Sequence, residues 1–178
     1  MSDSLGDRIL AKVREMPDFP KPGLVFRDIT RIMTDADLFR EVVDTLADRF
    51  GGEPPDLVCG VEARGYIFGA ALAYRMGLGF LPIRWEGKLP PDRLTADFEL
   101  EYGFDALEVH GGDLEGGRRV LIVDDLLGTG KTIEKCCELV VKAGGKIQAI
   151  AVVVEVESLR GRARFEETDL VALSKLGE

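Results

Sequence analysis

Two hydrophobic patterns alternate along the chain. Apolar stretches, which are typical of parallel strands covered on both faces, occur within residues 57–61, 79–84, 120–123 and 146–155, and the stretch at 120–123 has no polar interruption. Between them, apolar residues recur every three or four positions, as expected for amphipathic helices. This alternation predicts an α/β fold, with an open, mostly parallel twisted sheet flanked by helices.

Helices are predicted at four places, namely residues 3–16, 38–50, 66–75 and 133–142. For the second, Thr34 or Asp35 is the expected N-cap, and Gly51 with Gly52 the expected stop. A further short strand is predicted at residues 170–173. No repeat or linker interrupts these elements, so one domain covering residues 1–178 is expected.

Two segments break the alternation. Residues 17–23 contain three prolines, which cannot continue a helix, so an extended, stiff segment is expected to lead into residues 24–26. A phenylalanine exposed in such a rigid segment could cover a bound ligand, and core packing of residues 25–27 is the alternative. Residues 85–93 are polar and rich in Gly and Pro, which suggests a lid. Beyond them, residues 98–102 and 107–110 alternate apolar and polar, as in a two-stranded ribbon with one wet face.

Candidate chemistry concentrates after the run at 120–123. Asp124 and Asp125 are expected to end this strand, and a glycine-bearing turn then opens the helix at 133–142. Such a turn presents unpaired N–H groups and the positive end of the helix dipole, so it suits a phosphate. Carboxylates suit sugar hydroxyls or a divalent cation. Together these features suggest a phosphorylated sugar, although strand termination and helix capping alone would also explain them.

A second turn of the same kind lies earlier in the chain. Residues 62–65 follow the strand at 57–61 and lead into the next helix, and Arg64 adds a permanent positive charge. Because such turns gather at the carboxyl edge of a parallel sheet, a ligand with phosphate groups at both ends is expected there. A nucleoside-triphosphatase P-loop is excluded, since its first glycine would fall at Asp125.

Composition narrows the possible partners. The chain has 178 residues with 46% hydrophobic content and a net charge of -9, which argues against nucleic acid or an anionic membrane as partner. Its three cysteines show neither disulfide nor zinc spacing. The apolar run at residues 150–154 is far too short to span a bilayer. A cytoplasmic protein is therefore expected.

The strand, acidic pair and Thr-Gly-Lys-Thr turn resemble the phosphoribosyl-pyrophosphate motif of type I phosphoribosyltransferases. Further segments in family order resemble the adenine-specific branch of that family. They are Asp18-Phe19-Pro20, Pro22-Gly23-Leu24-Val25-Phe26-Arg27-Asp28-Ile29, Glu62-Ala63-Arg64-Gly65-Tyr66-Ile67-Phe68-Gly69, Gly87-Lys88-Leu89-Pro90 and Leu100-Glu101-Tyr102-Gly103. Gly128, Lys131 and the Trp85-Glu86 pair differ from the residues usual at these positions in the family.

The resemblance implies transfer of a phosphoribosyl group from phosphoribosyl pyrophosphate to adenine, giving AMP and pyrophosphate, with Mg²⁺ held through the substrate and by Asp124 or Asp125. It also implies a homodimer, a small N-terminal hood (residues 17–33) and a flexible loop (residues 85–105). The implied site residues are Glu101 for catalysis; Asp124, Asp125, Gly128, Thr129, Gly130, Lys131 and Thr132 for the phosphoribosyl group; Arg64, Arg84 and Lys88 for pyrophosphate, the last two from the same or a neighbouring subunit; and Val25, Phe26 and Arg27 for adenine.

Two other functions remain open from the residues. The same fold serves in regulators that bind phosphoribosyl pyrophosphate without turning it over. Such regulators usually carry a DNA-binding domain and a basic surface, which this chain lacks. The second alternative is a phosphoribosyltransferase for another base. A lysine that could serve a 6-oxopurine is absent from residues 152–156, which argues for adenine.

Overall fold

A seven-stranded sheet forms the centre of the structure, a computed structural model that describes residues 3–100 and 103–177 and, within these, the side chains outside 98–105. The strand order is β5-β6-β4-β3-β7-β8-β9. The strands are β3 (Leu57–Val61), β4 (Gly79–Trp85), β5 (Arg93–Leu100), β6 (Gly103–His110), β7 (Arg119–Leu127), β8 (Lys146–Val156) and β9 (Leu170–Leu176). Five of them, from β4 to β9 in that order, are mutually parallel. The predicted open, mostly parallel sheet is confirmed.

Helices cover both faces of this sheet. They are α1 (Leu5–Leu10), α2 (Thr30–Met33), α3 (Ala36–Phe50), α4 (Arg64–Met76) and α5 (Lys131–Lys142). The side chains of α3 and α4 share one hydrophobic core with Val58 and Val123, while those of α5 share a second core with Cys59 and Ile122. Successive residues of one strand thus enter opposite cores, which explains the uninterrupted apolar runs.

The N-terminal region differs from expectation. The predicted helix at 3–16 ends at Leu10, because Arg14–Pro17 instead forms β1 and pairs antiparallel with β2 (Val25–Asp28). This pairing outweighs the local helical periodicity. Residues 18–24 are not extended either: Phe19 N–H donates to the Leu24 carbonyl at 3.3 Å and closes a hairpin connection. The result is a separate two-stranded sheet at the N-terminus.

The strand bearing the acidic pair also differs from expectation. β7 does not end at Asp124 and Asp125 but runs on to Leu127, because it stays paired with β8 as far as Leu127 opposite Glu155. On its other side, pairing with β3 stops at Val123. The two aspartates therefore lie inside β7 but beyond the end of its neighbour, where one strand edge opens into the site.

Other boundaries shift by a few residues. Asp35 is the N-cap of α3 and accepts a hydrogen bond from Leu38 N–H at 3.2 Å, and Gly51 follows its last residue, as predicted. The ribbon of β5 and β6 is longer than expected, since β5 begins at Arg93, a residue assigned to the lid from the sequence. Within the described ranges, 3–100 and 103–177, no helix has the length and apolar character needed to cross a membrane.

Candidate active site

A cavity of about 290 Å³ opens at the carboxyl edge of the sheet, where β3, β4 and β7 end. The strand-to-helix connections before α4 and α5 meet there, as expected for an open α/β sheet. The residues lining it are Val61, Glu62, Ala63, Arg64, Trp85, Asp124, Asp125, Leu126, Leu127, Gly128, Thr129, Gly130, Lys131, Thr132 and Ile133. The structure thus brings together all seven predicted phosphoribosyl-site residues and Arg64.

The acidic pair lies in the wall of this cavity. Asp124 and Asp125 are only 9% and 4% exposed, and Asp124 Oδ1 accepts the Asp125 N–H at 2.9 Å. Burial and the neighbouring Asp125 carboxylate raise the pKa of Asp124 well above its ordinary value. Burial also raises the pKa of Asp125, although the charge of Arg64 opposes this shift. Two buried carboxylates side by side are costly unless cations or hydroxyls compensate them.

Gly65 permits the close approach of α4 to the acidic pair. A Cβ at this position would lie 2.9 Å from both Asp124 Oδ1 and the Val123 carbonyl oxygen. Any side chain would therefore displace β7 or Asp124. The glycine in the second predicted anion-binding turn thus allows the two turns to share one cavity.

Residues 128–130 form the phosphate turn, the name used below for the connection that enters α5. Gly130 adopts a φ of 79° and is the helix N-cap, with no side chain capping the first turn. The N–H groups at the N-terminus of α5 are therefore available to a ligand, and the helix dipole favours a negatively charged ligand. Thr129 and Lys131 are exposed at the mouth of the turn.

Arg64 joins three parts of the site. Its Nε lies 2.8 Å from Asp125 Oδ2, an ion pair that lacks hydrogen-bond alignment. Its Nη1 donates a long, 3.5 Å hydrogen bond to the Arg27 carbonyl, and its guanidinium lies 5.4 Å from the centre of the Phe26 ring. One cation thus contacts Asp125, the Arg27 carbonyl and the Phe26 ring.

The hood residues predicted to bind the base are accessible. Val25 is 44% exposed and Phe26 is half-buried, in edge contact with Phe19 at 5.4 Å between ring centres. The core-packing interpretation of this segment is therefore wrong. Because Arg27 directs its carbonyl toward Arg64, the backbone groups of Arg27 and, two residues earlier, Val25 lie on the strand edge that faces away from β1.

The other two predicted pyrophosphate residues lie beside the cavity wall and do not line the cavity. Lys88 Nζ is 2.5 Å from Glu62 Oε1, and Arg84 Nε is 3.9 Å from Glu62 Oε2. Burial alone would raise the pKa of Glu62, but hydrogen bonds from Lys88 and the Trp85 N–H lower it below its ordinary value. The unusual Trp85 packs partly into the core beneath α5. Sequence reasoning missed Glu62, which holds the two cations in place.

Glu108 was also missed, because the sequence placed it on the wet face of the ribbon. It is fully buried and accepts hydrogen bonds from the N–H groups of Gly87 and Leu89 at 3.0 and 3.2 Å. Arg93 Nε lies 2.6 Å from its Oε1. These partners compensate the buried charge, and they fix the segment that carries Lys88. The sequence shows only that position 108 is polar, which does not distinguish a carboxylate in solvent from a buried carboxylate with hydrogen-bond partners.

Two predictions lack a structural test. Glu101 lies outside the described residues, so its predicted catalytic role stays a prediction. Among the residues that are described, no group of three or more His, Cys, Asp or Glu side chains is arranged to hold a metal. In the cavity the acidic pair offers hard oxygen ligands, of the type that Mg²⁺ accepts when substrate oxygens and waters complete its shell.

Comparison with known proteins gives a consistent result. Residues 29–175 match the family described as phosphoribosyl transferase domain. The chain is 47% identical over 166 residues to an adenine phosphoribosyltransferase of Acidobacterium capsulatum, a match that covers 93% of this chain and 92% of the relative.

Solved structures agree with the sequence relatives. The adenine phosphoribosyltransferase of Thermoanaerobacter pseudethanolicus superposes with a TM-score of 0.91 at 44% identity and covers 97% of this chain and 100% of its own. The Saccharomyces cerevisiae enzyme, solved with an imino-altritol bisphosphate and adenine, has a TM-score of 0.87 at 31% identity and covers 95% of this chain and 98% of its own.

Proposed function

We propose a residue-level mechanism for this chain, which belongs to the adenine phosphoribosyltransferase family. The chain transfers the 5-phosphoribosyl group from phosphoribosyl pyrophosphate to adenine, giving AMP and pyrophosphate, a reaction of purine salvage. The bond from C1 of the sugar to pyrophosphate breaks, the bond from C1 to N9 of adenine forms, and the proton of the purine imidazole passes to Glu101, the residue proposed to exchange it. The observation that carries our assignment of sites is the single cavity shared by the acidic pair, the phosphate turn and Arg64.

The sugar and its phosphate occupy the β7 side of this cavity. Asp124 and Asp125 accept hydrogen bonds from the ribose hydroxyls, and their burial makes those bonds strong because little water competes. The phosphate turn and the start of α5, with Lys131 and Thr132, hold the 5′-phosphate by N–H groups, the helix dipole and one lysine charge. This arrangement fixes C1 relative to the base, which supplies the positioning part of catalysis.

The pyrophosphate lies toward Arg64, Arg84 and Lys88. Glu62 holds Arg84 and Lys88 within one chain, and two cations against one carboxylate leave net positive charge for the leaving group. Arg64 is already at the cavity wall. Negative charge develops on the pyrophosphate oxygens as they leave, and positive side chains beside them stabilise the transition state.

Adenine binds under the hood. The exposed Val25 and the half-buried Phe26 provide apolar area for a flat ring. The strand edge at Val25 and Arg27 that faces away from β1 offers backbone carbonyls to the 6-amino group and N–H groups to N1. In a 6-oxopurine, the oxygen at position 6 would face a backbone carbonyl, and both groups are hydrogen-bond acceptors. This edge therefore selects adenine.

Magnesium completes the proposed site. The buried carboxylates of Asp124 and Asp125 fit a hard divalent cation together with substrate oxygens. When bound, the ion supplies positive charge that favours the departure of pyrophosphate. Burial raises the pKa values of both aspartates. A bound cation or hydroxyl would oppose this shift, because it favours the ionised form of a carboxyl group.

We propose that residues 1–178 form one domain, which assembles as a homodimer. Ile67 and Tyr74 project from the same face of α4 and are 44% and 90% exposed, an unusual exposure for large apolar side chains. A second copy of this helix would cover them. Tyr74→Asp should shift the dimer toward monomer in multi-angle light scattering, whereas a dimer unaffected by this change would place the interface on another surface.

A cytoplasmic location is proposed because the cysteines Cys59, Cys136 and Cys137 are free thiols.

Product analysis tests the reaction. Purified protein with Mg²⁺, phosphoribosyl pyrophosphate and adenine should form AMP and pyrophosphate in equal amounts, and chelation of the metal should suppress both. Binding of phosphoribosyl pyrophosphate without product would instead support a non-catalytic regulator.

A further inference from the structure

The phosphate turn has a partner on its outer side. Two 3₁₀ segments, Glu157–Leu159 and Gly161–Phe165, follow β8 and pack against the turn. Arg164 in the second segment donates from Nε to the Thr129 carbonyl at 2.8 Å and from Nη1 to both Glu134 carboxylate oxygens at 2.9 and 3.1 Å. Arg164 does not line the cavity, so it touches the turn only from behind.

The packing here leaves no spare room. A Cβ on Gly161 would lie 2.1 Å from the Gly128 carbonyl oxygen, and a Cβ on Gly130 would lie 2.9 Å from the Gly161 carbonyl oxygen. The carbonyls of Gly128 and Thr129 therefore face the second 3₁₀ segment. In a trans peptide the N–H points opposite to the carbonyl, so the N–H groups of Thr129 and Gly130 point away from that segment.

Glu134 lies in the first turn of α5, next to the proposed phosphate position. A free carboxylate there would compete with a phosphate for the helix dipole and would repel it. Arg164 neutralises this carboxylate and at the same time fixes the Thr129 carbonyl. Both contacts act on the same property of the site, namely its affinity for an anion.

We propose that Arg164 is a positioning residue for the phosphate of the sugar substrate, an inference that rests on the proposed role of the turn. The side chains of Arg164 and Glu134 are 37% and 38% exposed, and an ion pair so open to solvent contributes little to folding. Loss of Arg164 should therefore weaken phosphate binding much more than it lowers stability.

The test compares Arg164→Ala with two matched variants. We expect Arg164→Ala to raise the KM for phosphoribosyl pyrophosphate on the order of tenfold, the effect of one charged hydrogen bond, with the KM for adenine, kcat and melting temperature nearly unchanged. Arg164→Lys should restore part of the affinity. Arg49→Ala removes an ion pair of similar exposure with Asp169, distant in sequence from the turn, and should behave as the wild type.

A double variant separates the two contacts. Adding Glu134→Gln to Arg164→Ala should recover part of the lost affinity, and no recovery would overturn the neutralising role of Arg164. Calorimetric titration with ribose 5-phosphate reads phosphate binding without the reaction, so it distinguishes this inference from the proposed function. Equal ribose 5-phosphate affinities of wild type and Arg164→Ala, or a kcat loss without a KM change, would refute the inference.

Discussion

Arg64 Nε lies 2.8 Å from Asp125 Oδ2, and the same guanidinium reaches the Arg27 carbonyl and the Phe26 ring. The pair therefore links the proposed sugar site to the proposed base site through one side chain. Its geometry is not that of an aligned hydrogen bond, so a pyrophosphate oxygen can compete for Arg64. In the proposed mechanism, this competition makes Asp125 available to the sugar hydroxyls or to the metal.

The first prediction concerns the acidic pair. Asp125→Ala and Asp124→Ala should each lower kcat/KM for phosphoribosyl pyrophosphate by roughly 10- to 100-fold, because each removes a charged hydrogen-bond acceptor. Steady-state kinetics measures this loss. Asp56→Asn is the control: Asp56 pairs with Arg119 at the opposite edge of the sheet and should leave activity unchanged. Unaltered kinetics in both Ala variants would reject the assignment.

The second prediction concerns Gly65. Gly65→Ala places a Cβ 2.9 Å from Asp124 Oδ1, so it should displace the acidic pair and reduce both turnover and melting temperature. At Gly52 a Cβ would meet nothing within 4 Å, and Gly52→Ala serves as the matched control. Steady-state kinetics and thermal unfolding of both variants measure these effects. Equal turnover and equal melting temperatures for the two variants would show that the close approach of α4 to β7 is not critical.

How much of this architecture the sequence can predict depends on whether local or distant residues determine it. The strands β3, β7 and β8 were predictable because burial on both faces leaves an uninterrupted apolar run, and the phosphate turn because its glycines precede a helix. The early end of α1 was not predictable, since it depends on β1 pairing with β2, a later strand across an intervening turn. Glu62, Glu108 and Arg164 were missed for the same reason: each acts through partners distant in the sequence.

The third prediction concerns Glu101, assigned by resemblance to proton exchange with the purine imidazole nitrogen. General acid–base catalysis contributes on the order of 10²- to 10⁴-fold in rate, so Glu101→Gln should slow the chemical step far more than it weakens substrate binding. Single-turnover experiments isolate that step. A single-turnover rate equal to the wild type would leave Glu101 without a catalytic role.

The fourth prediction is a pH dependence of stability. Hydrogen bonds from the Thr30 hydroxyl and N–H, with Arg14 nearby, lower the pKa of Asp28 from its ordinary value of 3.8 to about 2. The unfolded chain therefore binds the proton first, and this stabilisation is lost as the pH falls from about 4 to about 2. The difference in unfolding free energy between wild type and Asp28→Asn should be constant above about pH 5 and shrink toward pH 3. Urea titrations at several pH values measure it, and a pH-independent difference would contradict the assignment.

The central claim is that this cavity and hood form a site for adenine, and base selection tests it most directly. Purified protein with Mg²⁺ and phosphoribosyl pyrophosphate should be assayed for pyrophosphate release with adenine, hypoxanthine, guanine, xanthine and orotate. A hydrogen-bonding edge that a wrong base leaves unpaired can discriminate by ~10⁴-fold or more, so adenine should react and the other four should not. Faster conversion of any of those four than of adenine would contradict the account.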